Sequence, residues 1–141
     1  MDGNLWNIGI RVADVEKEVA YFMALGAVLR VKDKLTTNNG QFEYALLDFG
    51  GTRLFLTPRT VFEHALPEPL RDGLTHAVFE VNDVDATLKD LVAQGTEVLI
   101  APMEIDAGLG SRRLAFCRTP GGVVFEIMQV RVNALVDGAA Q

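Results

Sequence analysis

"LTHAVFEVNDVDATLKDLVAQG" (residues 74–95) is the stretch on which the fold turns, because "LWNIGIRVADVEKEVAYFMALG" (residues 5–26) has the same layout. At an offset of 69 residues, Asn7 falls on His76, Val12 on Val81, Asp14 on Asp83, Val15 on Val84, Val19 on Leu88, Phe22 on Leu91 and Gly26 on Gly95. Each copy opens with alternating apolar residues, the period of a half-buried strand. Asp14 and Asp83 then suit a helix N-cap. Apolar residues follow at helical spacing: Val15, Val19 and Phe22 in one copy, Val84, Leu88 and Leu91 in the other. Gly26 and Gly95 suit the left-handed residue that ends a helix.

Further on, "FGGTRLFLT" (49–57) matches "PGGVVFEIM" (120–128), each placing a Gly-Gly turn before a strand, with Phe55 falling on Glu126. The chain therefore reads as two copies of strand, helix and further strands, 3–59 and 72–131, in one domain over 1–131. The linker 60–71 is expected to carry a short helix broken near Pro67 and Pro69. A tail over 132–141 is expected to be a frayed end or a short helix.

Composition bounds the function. In 141 residues, 49% are hydrophobic, enough for a packed interior. The net charge is −6 and no basic stripe appears, which argues against nucleic acid and anionic membrane surfaces as partners. Cys117 is the only cysteine, so an internal disulfide is impossible. The absence of a spanning apolar run or a signal-like start predicts a cytoplasmic protein.

Strand residues alternate faces. In the first strand Trp6, Ile8, Ile10 and Val12 are expected to pack on the helices, with Asn7, Gly9 and Arg11 opposite. In its counterpart His76, Val78 and Glu80 face away from the helices. After the Gly-Gly turns, Arg53, Phe55 and Thr57 share that second face with Val124, Glu126 and Met128. A curled sheet turns this mixed face into a cup with an apolar wall and a few polar groups, the usual makeup of a small-molecule site.

In these segments, and in "GSRRLAFCRTPGGVVFEI" (110–127), the sequence resembles the vicinal oxygen chelate superfamily. That group includes glyoxalase I, methylmalonyl-CoA epimerase, extradiol dioxygenases, fosfomycin resistance proteins and bleomycin-binding proteins. The resemblance implies an α+β fold, two paired βαβββ modules forming one cup-shaped mixed sheet with helices outside, and commonly a homodimer. It also implies that metal ligands, where present, fall on Asn7, Phe55, His76 and Glu126. His76 and Glu126 are ligand types. Asn7 stands where a histidine is usual, an amide oxygen being a weak donor beside imidazole, and Phe55 cannot ligate. The expectation is no tightly bound cofactor, with a divalent ion on His76, Glu126 and Asn7 as the alternative.

Two functions follow. One is a lyase, isomerase or dioxygenase acting next to a carbonyl, with Glu126 as base or ligand and His76 as ligand or electrostatic partner. The other is a protein that sequesters a drug or metabolite without chemistry. In both, Asn7, Arg11, Arg53, Phe55, Val78, Glu80, Val124 and Met128 are the ligand-contact candidates. Each has a plainer role available. His76 and Glu126 can pair with each other, Arg11 with Glu80, and Phe55 and Met128 can fill the space of a lost metal. Cys117 reads as a buried inert thiol, His64 as a surface residue, and "DAGLGSRR" (106–113) as a mobile loop over the cup mouth.

Overall fold

The computed structural model describes residues 1–135. The first half runs β1 (Gly3–Arg11), α1 (Val15–Ala24), β2 (Val28–Thr37), β3 (Gly40–Phe49) and β4 (Thr52–Thr57). The second repeats the order as β5 (Gly73–Val81), α2 (Val84–Ala93), β6 (Glu97–Ala107), β7 (Gly110–Arg118) and β8 (Val124–Asn133). β8 thus continues past Arg131 into the expected tail. Residues 136–141, the rest of that tail, lie outside the described residues.

Local chemistry sets both helices. Asp14 accepts a hydrogen bond from the Lys17 amide at 3.1 Å, and Asp83 accepts one from the Ala86 amide at 3.0 Å. Each satisfies an N–H that a helix start leaves unpaired. The far ends stop at Gly26 and Gly95, whose φ values of 109° and 95° are ones that β-carbon-bearing residues rarely adopt.

One eight-stranded sheet results, in the order β2-β3-β4-β1-β5-β8-β7-β6. β1 and β5 meet antiparallel at the centre, setting Gly9 opposite His76 and Asn7 opposite Val78. β4 flanks β1 and β8 flanks β5, both in parallel. The sheet curls until its edge strands approach each other. The Gly108 amide, in the β6–β7 turn, donates to Asp33 Oδ2 of β2 at 2.8 Å.

Three apolar clusters divide the side chains. One lies under α1 (Val12, Val15, Val19, Leu47, Leu54, Leu56) and one under α2 (Val81, Val84, Ala115, Ile127). The third and largest fills the concave face: Trp6, Leu35, Phe42, Tyr44, Leu46, Phe62, Val78, Ile105, Leu109, Leu114, Phe116 and Met128.

Trp6 departs from the expected alternation. β1 pairs Leu5 with Phe79 and then Asn7 with Val78, so Trp6 is the extra residue of a bulge. A bulge re-aims a side chain locally. Trp6 therefore packs in the concave cluster instead of on the helices, beside Asn7 and not opposite it. The linker forms one short 3₁₀ turn, Glu63–Ala65, ahead of Pro67. The stretch 106–113 is no mobile loop: a turn at Gly108 and Leu109 joins β6 to β7, and Leu109 is buried.

Candidate functional site

The concave face keeps a cavity of about 50 Å³. Asn7, Phe55, His76, Glu126 and Met128 line it, with Trp6, Phe42, Thr57, Phe62, Met103, Arg112 and Phe116. The curl thus gathers the central residues of four strands, β1, β4, β5 and β8, around one space.

At its centre His76 Nε2 lies 3.3 Å from Glu126 Oε1. Thr75 Oγ1 lies 2.8 Å from the other ring nitrogen, Nδ1. With the ring proton on Nε2, the imidazole donates to Glu126 and accepts from the Thr75 hydroxyl, using both nitrogens. Phe62 meets the ring edge-on at 5.0 Å between centroids, and Phe116 lies against it at 5.6 Å. Gly9 is what admits the ring. A β-carbon at that position would fall 2.3 Å from His76 Cε1 and 2.5 Å from Nδ1.

Asn7 is 3% exposed and lines the cavity, yet its side chain forms no hydrogen bond with the described residues. A buried amide that faces a cavity unpaired is available to whatever enters it. Phe55 stacks on Tyr44 with ring centroids 5.0 Å apart and planes 9° apart, closing the fourth strand position with carbon.

The other candidates are placed as follows. Arg11 is outside the cavity, bonded to Asp72 Oδ1 at 2.6 Å and Glu63 Oε1 at 3.4 Å, both beyond β4, and not to Glu80. Arg53 lies over the Trp6 ring at 4.6 Å and donates to the Trp6 carbonyl at 3.3 Å. Val78 is buried in the concave cluster, and Val124 packs against it from an outer groove. Glu80 lines a separate surface hollow with Asn4 and Asn82. His64 is near Asn39 at 3.3 Å on the surface. Cys117 is buried behind Glu126, and its thiol is pushed up to about 11 by burial first and by the Glu126 charge second.

Gly9, Thr75, Phe62, Phe116 and Arg112 were not singled out from sequence as site residues. Thr75 had only its adjacency to His76 to mark it. Phe62 reaches the site from the linker, which carried no chemical signal.

The donor set does not fit a closed metal site. Two side chains of ligand type are present, and they already bond each other. Among the described residues no group of three or more histidine, cysteine, aspartate or glutamate side chains comes together. An amide and a phenyl ring occupy the remaining two positions.

The glyoxalase/bleomycin resistance protein/dioxygenase family matches residues 5–127. The chain belongs to this superfamily. No curated protein matches it. Solved structures share the superfamily fold. A hypothetical protein, BH1468 from Bacillus halodurans C-125, has a TM-score of 0.71 at 17% identity, over 96% of this chain and 100% of that one. A methylmalonyl-CoA epimerase in complex with methylmalonyl-CoA and NH4+ has 0.70 at 23% identity, over 93% and 96%. A Streptomyces coelicolor methylmalonyl-CoA epimerase variant in complex with 2-nitronate-propionyl-CoA has 0.68 at 24% identity, over 91% and 97%. At these identities the likeness is one of glyoxalase-superfamily fold.

Proposed function

We propose that this protein binds a small, mostly apolar molecule inside the cup and holds its polar end on Asn7, His76 and Glu126 without a metal. One observation carries the reading. A carboxylate–imidazole pair and an unpaired amide converge on a cavity whose wall is otherwise aromatic rings, methionines and aliphatic side chains. That combination fixes a ligand's orientation by a few polar groups and its affinity by apolar contact. The space of about 50 Å³ corresponds to roughly four waters, so the ligand, or the part of it that enters, has only a few heavy atoms.

A second reading has one feature in its favour. Glu126 is 8% exposed, in apolar surroundings, and partnered by an imidazole. Such a carboxylate is placed to take a proton from carbon next to a carbonyl. The C–H electron pair would move onto the carbonyl oxygen, with the Asn7 amide as hydrogen-bond donor to it. Epimerases among the structural neighbours make an isomerase the form of this reading to test.

The tests are a melting screen and an exchange assay. A small ligand present at 100 times its Kd stabilises the fold by about 2.7 kcal/mol. A Phe55→Arg, Met128→Arg double variant should lose that shift, and an unchanged shift would mean the cup is not the site. Incubating the protein with an isobutyryl thioester in D2O, and following the α-proton by NMR, reads proton transfer directly. Exchange that Glu126→Gln abolishes favours the isomerase; no exchange with the wild type leaves binding alone.

A further inference from the structure

Three buried side-chain polar atoms have no hydrogen-bond partner among the described residues: Tyr44 OH, Arg53 Nε, which has only the Asp48 carboxylate at 4.0 Å, and Arg112 Nε. All three are donors, and Tyr44 and Arg53 both act electrostatically on Arg112. Arg53 and Arg112 lie over the Trp6 ring at 4.6 and 5.5 Å, and Tyr44 packs in the same cluster as Trp6. Tyr44 OH sits near the Gly108 and Leu109 backbone without a well-formed hydrogen bond.

Arg112 is the more enclosed of the two arginines. It is 1% accessible and lines the cavity. Its Nη1 donates to the Ser111 and Val132 carbonyls at 3.2 and 2.9 Å, and Nη2 to Asn133 Oδ1 at 3.4 Å. All three acceptors are neutral. Glu80 is the acidic group whose field reaches the guanidinium, but it makes no ion pair with it. A cation so enclosed and without a counter-ion is unfavourable by itself. Buried charges are ordinarily paired, and a carboxylate on a guanidinium forms the stronger, charge-assisted kind of hydrogen bond.

We infer that Arg112 is the anchor for an anionic end of the cup ligand, which makes the ligand a small carboxylate with a short branched or flat apolar body. This rests on the cup being the binding site and adds the charge class of what binds there. The carboxylate would meet the Arg112 guanidinium from the cavity side and accept from its Nε–H, which has no hydrogen-bond partner among the described residues. The apolar body would lie against Phe55 and Phe116, and the polar group at its other end would reach Asn7, His76 and Glu126.

The test uses isobutyrate and its neutral counterpart isobutyramide as probes of the whole chain. NMR titration follows the arginine Nε–H signals and the Met128 methyl. Isobutyrate should bind about tenfold tighter than the amide, the worth of one charge-assisted bond, and should move the Arg112 Nε–H signal. Arg112→Met should bring the two affinities together. Equal affinities in the wild type, or an Arg112 Nε–H signal that does not respond, overturn the inference and leave the cup reading standing. If neither probe moves the Met128 methyl, the cup reading falls and takes the inference with it. Should Arg112→Met fail to fold, the wild-type titration decides alone.

Discussion

Replacing Gly9 with alanine should damage the site through one added carbon. The new β-carbon would be 2.3 and 2.5 Å from two atoms of the His76 ring and 3.0 Å from Thr75 Oγ1, closer than such contacts allow. Gly9 is directly opposite His76 in the β1–β5 ladder, so the backbone has little room to yield. The ring must turn instead. It then loses its contacts to Thr75 Oγ1 at 2.8 Å and Glu126 Oε1 at 3.3 Å. At about 1 kcal/mol each, that is about 2 kcal/mol. An off-rotamer side chain adds about 1 kcal/mol, and alanine's smaller unfolded-state entropy returns about 0.7 kcal/mol. The net expectation is a loss of about 2 kcal/mol, or a fall in Tm of roughly 6 °C for a chain of this size. Urea and thermal unfolding measure it. Gly121→Ala is the control, since the nearest atom to its added carbon is 3.9 Å away; it should stay within about 0.5 kcal/mol of wild type. His76→Ala should cost about 3 kcal/mol less when Gly9→Ala is already present, because the two ring contacts are already lost and removing the ring relieves the collision. A Gly9→Ala protein of wild-type stability with unshifted His76 ring signals would refute this account of the site.

Three other outcomes are expected. Phe62, fully buried against His76 and Phe116, should cost about 3–5 kcal/mol on replacement by alanine, read from urea midpoints; a loss under about 1 kcal/mol would show that the linker is not packed over the site. Cys117 and Tyr44 hold their protons in the fold up to about 11 and about 12, against ordinary values of 9.0 and 10.0, chiefly because burial disfavours the charged forms. Unfolding releases those protons earlier, so stability is full below pH 9 and falls as pH rises from there toward 12. A Cys117→Val, Tyr44→Phe double variant should flatten that fall, and unfolding curves at several alkaline pH values would show whether it does. Asn7→His should raise affinity for Zn2+ by about tenfold or more through a third strong ligand, measured by calorimetry; tight stoichiometric binding by the wild type would mean that the amide is a stronger donor than its chemistry suggests.

The repeat, the helices and the sense of most strands could be read from the chain because their causes are local. Asp14 and Asp83 cap the helices that follow them, Gly26 and Gly95 end those helices, and the apolar stripes of α1 and α2 fall on one side at a period of 3.6. Alternation likewise placed Phe55, His76 and Glu126 on one face, and the curl brought them to one cavity. What depended on partners distant in sequence was not legible. Trp6 enters the cup because of a bulge, which exists only when β1 pairs with β5. Arg11 faces the linker because Glu63 and Asp72, more than fifty residues on, are there to bind it. Arg112 looked like part of a glycine-rich loop, yet the closing of the β6–β7 hairpin buries it beside Trp6, 106 positions away along the chain. Residue type and spacing state what a segment prefers; curl, register and bulges decide which side chains then meet, and those are set by pairings across the whole sheet.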